Sequence, residues 1–126
     1  MKQLTELSKN IHRANVAKGF YDNPVEFGTQ LMLVVSELGE AIEADRKPTK
    51  DVVGSECIAL KHEGMADESF KEVFELLVKG SVEEEIADSI IRLFDICGHR
   101  GIPIGEIISA KLRYNSLRPY KHGKKF

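Results

Sequence analysis

The sequence predicts an all-α protein, a helical bundle of about five helices completed by oligomerisation. Three observations carry this reading. Apolar residues recur at spacings of three and four through most of the chain. Gly, Pro and Ser-x-x-Glu sequences punctuate those stretches where helices begin and end. No segment alternates as a strand does, no hairpin dipeptide joins two alternating runs, and no internal repeat is present. With 126 residues the chain is long enough for a core and reads as one domain, 1–126, with a connector or insertion at 47–66 and a basic tail at 119–126.

The first helix is expected over residues 3–18, with Leu4, Leu7, Ile11 and Ala14 on one face and Gly19 as the stop. A turn at Tyr21-Asp-Asn-Pro24 leads to a second helix from Val25 to Arg46. Phe27, Leu31, Val34, Leu38 and Ile42 are its expected buried stripe, and Leu33, Glu37, Glu40 and Ala44 form a second stripe further round. Lys47-Pro48 ends it. Residues 47–66, including Gly54, lack periodicity apart from a short element around Cys57-Ile-Ala-Leu60, and read as a flap or a variable insertion. A third helix, carrying Phe70, Val73, Phe74, Leu77 and Val78, is expected to start at a capping box, Ser69-Phe-Lys-Glu72, and to end at Gly80. A fourth starts at a second box, Ser81-Val-Glu-Glu84. Val82, Ile86, Ile90, Leu93, Phe94 and Cys97 are its expected core face, with Glu85, Asp88, Arg92 and Asp95 on another side. Pro103 opens a fifth helix with Ile104, Ile107, Ile108 and Leu112 as its apolar face, ending at Arg118-Pro119.

Composition excludes several classes. The net charge of −2 offers no global basic field for nucleic acid, although the residues from Arg113 onward are basic without an acid among them. Cys57 and Cys97 do not make a disulfide scaffold and fit a reducing, cytoplasmic compartment. The N-terminus lacks the apolar stretch of a signal peptide, and no apolar run approaches the ~20 residues that span a bilayer.

The chemistry-bearing residues are acids. Glu37 and Glu40 lie three apart on the second helix, and Glu85 and Asp88 lie three apart on the fourth. Each pair shares a helix face beside an apolar stripe, where like charges are costly without a positive partner. If the two helices pack side by side, four carboxylates converge. That many hard oxygen donors suits Mg²⁺, with Mn²⁺ as the alternative, rather than Zn²⁺, and suggests phosphate chemistry. Di-iron bundles use Glu-x-x-His, and here acids stand where His would be. The plainer reading is a solvated acidic face. On the fifth helix, Lys111, Asn115 and Arg118 share a face with Tyr114 beside it; Lys and Arg bind phosphate, while Asn with Tyr could hold a base or sugar. The plainer reading there is a solvated basic face.

These blocks resemble the MazG-like, all-α nucleoside triphosphate pyrophosphohydrolases. The resembling residues are Ser36-Glu-Leu-Gly-Glu-Ala-Ile-Glu43, Glu84-Glu-Ile-Ala-Asp88 with Ile91-Arg-Leu-Phe-Asp95, and Lys111-x-x-x-Asn115-x-x-Arg118; His12-x-x-Asn15-x-x-Lys18-Gly-Phe20 resembles the N-terminal segment of some members. They occur in family order and are spread over most of the chain apart from the 47–66 connector, which matches no motif. The resemblance implies hydrolysis of a (deoxy)nucleoside triphosphate to the monophosphate and pyrophosphate, with Glu37, Glu40, Glu85 and Asp88 holding Mg²⁺ and Asp95 ranked behind them. It implies substrate contacts from Lys111, Asn115 and Arg118, and a homodimer or homotetramer. Lys18 either reaches a phosphate or complements its helix end. His12 lies off its helix's stripe and reads as a surface or satisfied histidine. Phe20, Phe74 and Phe94 read as core, and His99 has no ligand spacing. His122, Lys124 and Lys125 either order over a bound phosphate or stay loose.

Two other functions compete. A non-catalytic helical interaction or regulatory module would use the polar stripes as interface charges and tolerate Glu→Gln. Nucleic-acid binding through the tail is disfavoured by the overall charge.

Overall fold

The computed structural model describes residues 1–53 and 57–123. Gly54, Lys124 and Lys125 lie outside the described residues, as does the His122 side chain. The architecture is all-α: α1 (Lys2–Ala17), α2 (Phe27–Arg46), α3 (Asp67–Leu77), α4 (Val82–His99) and α5 (Ile104–Ser116), with 3₁₀ turns at Ile58–Lys61 and Tyr120–Gly123. Among the described residues there is no strand, and no helix is long and apolar enough to cross a membrane. The chain divides into two compact units, Met1–Val25 with Leu93–Phe126, and Glu26–Arg92.

In the first unit, α1 packs on the end of α4 and the start of α5 through glycine. A Cβ on Gly98 would stand 2.5 Å from the Ser8 carbonyl oxygen, and one on Gly105 would stand 1.9 Å from that of Met1. Only a bare backbone permits such an approach. Ser8 is fully buried, and its hydroxyl donates to the Thr5 carbonyl at 2.8 Å. Thr5 ties the helices further: its hydroxyl donates to Glu106 Oε2 at 2.5 Å and accepts from the Gly105 N–H at 2.9 Å. This hydroxyl holds the Glu106 carboxyl below its ordinary range. The inward face of α1 is thus set by Ser8 and the half-buried Leu4, Ile11, His12 and Asn15; Leu7 and Ala14 of the expected stripe are exposed. Gly19 ends the helix region as expected, at φ +85°. Phe20 follows it in the turn and is largely exposed, so it is not core.

In the second unit, α3 begins at Asp67, two residues before the expected capping box, and Ala66 caps it without a side-chain bond. Asp67 and Glu68 supply first-turn negative charge instead. The second box forms in modified fashion. The Glu84 N–H donates to Ser81 Oγ at 3.1 Å, while the Glu84 carboxylate accepts from the Gly80 N–H rather than from that of Ser81. The connector is no loose flap where it is described. Val52, Cys57 and Ala59 are buried with Val78, against Val73, Phe74 and Leu77. Lys50 Nζ donates to the Glu75 carbonyl at 3.4 Å and to that of Leu76, so connector and α3 are joined at both apolar and polar points.

The largest departure concerns α2. Its buried residues are Gln30, Val34, Glu37 and Ala41. Of the expected stripe only Val34 is buried; Leu31 is 39% and Ile42 55% exposed, and Phe27 and Leu38 are exposed too. On α4, likewise, Glu85 and Ser89 are buried, whereas Ile86, Ile90 and Leu93 are exposed. An ion pair joins the inward polar faces of α2 and α4, Glu37 Oε1 accepting from Arg92 Nε at 2.6 Å, and the small side chains of Ala41 and Ser89 lie on those same faces. The bulky residues, one position round the helix, are left outward.

Candidate carboxylate site

Inside the second unit, one carboxylate oxygen each from Glu37, Glu40 and Glu85 lies within 4.8 Å of the other two. The positions follow from helix geometry: Glu37 and Glu40 are one turn apart on α2, and Glu85 is in the first turn of α4, where the peptide dipoles favour an acid. Glu37 and Glu85 are each only 8% exposed, and Glu40 opens to solvent. Arg92 neutralises part of this charge through Glu37.

That leaves a deficit of positive charge. Burial, then the charges of Glu40, Glu84, Glu37 and Asp88, push the Glu85 carboxyl up from its ordinary 4.5 to about 7. Asp88 is half-buried and raised in the same direction, first by burial and then by Glu84 and Glu37, with Arg92 opposing. Three oxygens at this spacing, two of them from buried residues and one reluctant to ionise, fit a hard divalent cation that would take up the missing positive charge.

The remaining candidates fall in the first unit. Lys111 Nζ lies 4.8 Å from the centroid of the Tyr114 ring and the Arg118 guanidinium 5.9 Å from it, so α5 and the residues just after it gather two cations on one exposed aromatic. Asn115 is half-buried, and Lys18 is exposed at the end of α1. Asp95 has both oxygens engaged. His12 Nδ1–H donates to Oδ1 at 2.9 Å, the carboxylate being an acceptor only, and Asn15 Nδ2 donates to Oδ2 at 2.8 Å. The Tyr21 ring stands 4.6 Å from that of His12 and 4.7 Å from that of His99.

Of the two readings of His12, the structure shows the satisfied one: it is a half-buried partner of Asp95, a partner the sequence did not name. The signal available was the three-residue spacing of His12 and Asn15, two side chains able to reach one acceptor from one helix face. The sequence also left Arg92 as part of a polar stripe, without its role as the partner of Glu37. Both cysteines are free and buried, and burial pushes the Cys97 thiol up.

No family model, curated protein or solved structure matches this chain.

Proposed function

We propose that the protein is a Mg²⁺-dependent nucleotide pyrophosphohydrolase of the MazG-like kind, cleaving a (deoxy)nucleoside triphosphate to the monophosphate and pyrophosphate. The observation that carries this reading is the convergence of Glu37, Glu40 and Glu85, where burial and the neighbouring carboxylates push the Glu85 carboxyl up to about 7. The ordered blocks around Glu37–Glu40, Glu85–Asp88 and Lys111–Arg118 support it as a resemblance.

Glu37, Glu40 and Glu85 would hold the cation, with Asp88 one turn further along α4. Bound there, Mg²⁺ supplies charge neutralisation for phosphate oxygens. The chain's own residues do the rest. Arg92 fixes Glu37, and a carboxylate of the set orients and deprotonates the attacking water; by the resemblance, Lys111, Asn115 and Arg118 are substrate contacts. Asp95 serves by holding His12 and Asn15.

The same reading includes a homodimer or homotetramer. The outward apolar residues of α2, among them Leu31, Met32, Val35, Leu38 and Ile42, form a face that a second copy would cover. That face also favours the second reading, a non-catalytic helical interaction module. The two are separated by calorimetric titration with Mg²⁺ of the wild type and of Glu40→Gln. Binding that the substitution weakens by tenfold or more supports the metal site; equal or absent binding in both supports the interaction module.

A further inference from the structure

A groove of about 280 Å³ lies along α3 in the second unit, lined by Phe70, Lys71, Phe74, Glu75, Lys79 and Glu84. Its floor is aromatic: the Phe70 and Phe74 rings are 5.7 Å apart and tilted by 57°, and His62 backs Phe70 at 5.3 Å. Phe74 also rests on the core formed with the connector, which gives the floor a fixed support. Lys71, Glu75 and Lys79 are exposed, so the rim mixes donors with acceptors. At one end stands Glu84, held by the Gly80 N–H. Glu85, one of the three converging carboxylates, is the next residue, its Cα about 3.8 Å away. The Glu84 charge is felt at both Glu85 and Asp88.

We propose that this groove receives the base of the nucleotide whose phosphates are handled at Glu37, Glu40 and Glu85, and that it sets base preference. The inference rests on the pyrophosphohydrolase reading above and names the substrate end which that reading leaves open. Size limits the occupant: 280 Å³ is at the lower end of ligand pockets, enough for a base with its sugar and too small for a whole triphosphate. The phosphates therefore extend out of the groove, and its Glu84 end is the one next along α4 to Glu85 of the carboxylate set. A base presents a flat π-face to Phe70 and Phe74, and such stacking accepts any base. Discrimination then comes from hydrogen bonds to the base edge, which Lys71 and Lys79 can donate and Glu75 can accept. The lysines also complement the negative charge of the ligand.

The test uses the full chain with Mg²⁺ and a panel of nucleoside triphosphates, together with saturation-transfer NMR on the corresponding monophosphates. Phe70→Leu keeps an apolar side chain on the half-buried surface, and Lys71→Met leaves the floor intact; circular dichroism checks that both variants are folded. Phe70→Leu is expected to raise KM about tenfold for every base with kcat within about twofold, and Lys71→Met to change the order of base preference. Saturation is expected to reach the base protons in the wild type and to fall in Phe70→Leu. If the wild type hydrolyses the panel and neither variant changes KM or base order, the groove assignment is overturned while the reaction stands. If the wild type hydrolyses nothing, the reaction is what fails, and the groove is judged by NMR alone: transfer that Phe70→Leu reduces supports it, and absent or unchanged transfer overturns it.

Discussion

Replacing Glu85 by Gln removes one charge from a place where the fold holds negative charge unwillingly. The Glu85 carboxyl titrates near 7 in the folded chain against an ordinary 4.5, so the folded state binds its proton the more tightly. The sign follows. Protonation stabilises the native state, so stability of the metal-free protein is lowest above pH 7, rises as pH falls through the 4.5–7 window, and gains nothing more from this group below 4.5. A shift of this size corresponds to at most about 3 kcal/mol, and solvent and Arg92 screening reduce it to roughly 1–3 kcal/mol. For a chain of this length each kcal/mol moves Tm by about 3–6 °C. Glu85→Gln should therefore melt about 3–18 °C above the wild type at pH 8 in chelator, and the two should converge near pH 4.5. Added Mg²⁺ should raise the wild-type Tm and leave the variant unmoved. Thermal melts by circular dichroism at pH 4.5 and 8, with and without Mg²⁺, read all of this. A variant that melts at or below the wild type at pH 8 without metal would refute the picture of a strained, cation-seeking cluster.

Other outcomes follow from separate parts of the structure. Because Glu85 must lose its proton to hold a cation, the Mg²⁺ dissociation constant should fall about tenfold per pH unit between 5 and 7 and level off above, as followed by calorimetry; a flat profile contradicts the assignment. Asp95→Ala leaves the His12 and Asn15 donors without their acceptor and should cost about 1–3 kcal/mol, seen as a lower denaturant midpoint. Gly98→Ala should destabilise by about 1–3 kcal/mol although Ala is the better helix former, since its Cβ would meet the Ser8 carbonyl oxygen at 2.5 Å; a stabilised variant would deny the close approach of α1. Leu31→Glu combined with Ile42→Glu should convert the proposed homodimer or homotetramer to monomer in sedimentation velocity with helicity retained, and a wild type already monomeric contradicts that proposal.

The helices were legible because their signals are local. Gly19 ends the α1 region, Ser81 and Glu84 open α4, and Pro103 precedes α5, each doing what its backbone chemistry dictates. Which face of α2 turns inward was not legible. Phe27, Leu31, Leu38 and Ile42 make the stronger apolar stripe, yet the face turned inward is that of Glu37, bonded to Arg92 55 residues away. Hydrophobic pattern gives the apolar area a helix offers but not whether this chain or another copy buries it. The same limit explains the connector. Val52, Cys57 and Ala59 have no period to betray them, and their burial depends on Val78 and α3. The acid pairs, by contrast, were visible as spacing, and the structure brings Glu37, Glu40 and Glu85 within one ion's reach. The pairing of His12 and Asn15 with Asp95 was not legible, because a bond across 83 residues leaves no mark in either segment alone.

The measurement that bears most directly on the central claim is pyrophosphate release from a panel of nucleoside triphosphates by the full chain, in Mg²⁺ and in chelator, beside Glu40→Ala. The account predicts release from one or a few of the panel, lost in chelator and lost in Glu40→Ala while that variant keeps its helical content. No release from a folded, Mg²⁺-supplied wild type, or release that neither chelator nor Glu40→Ala diminishes, would contradict it.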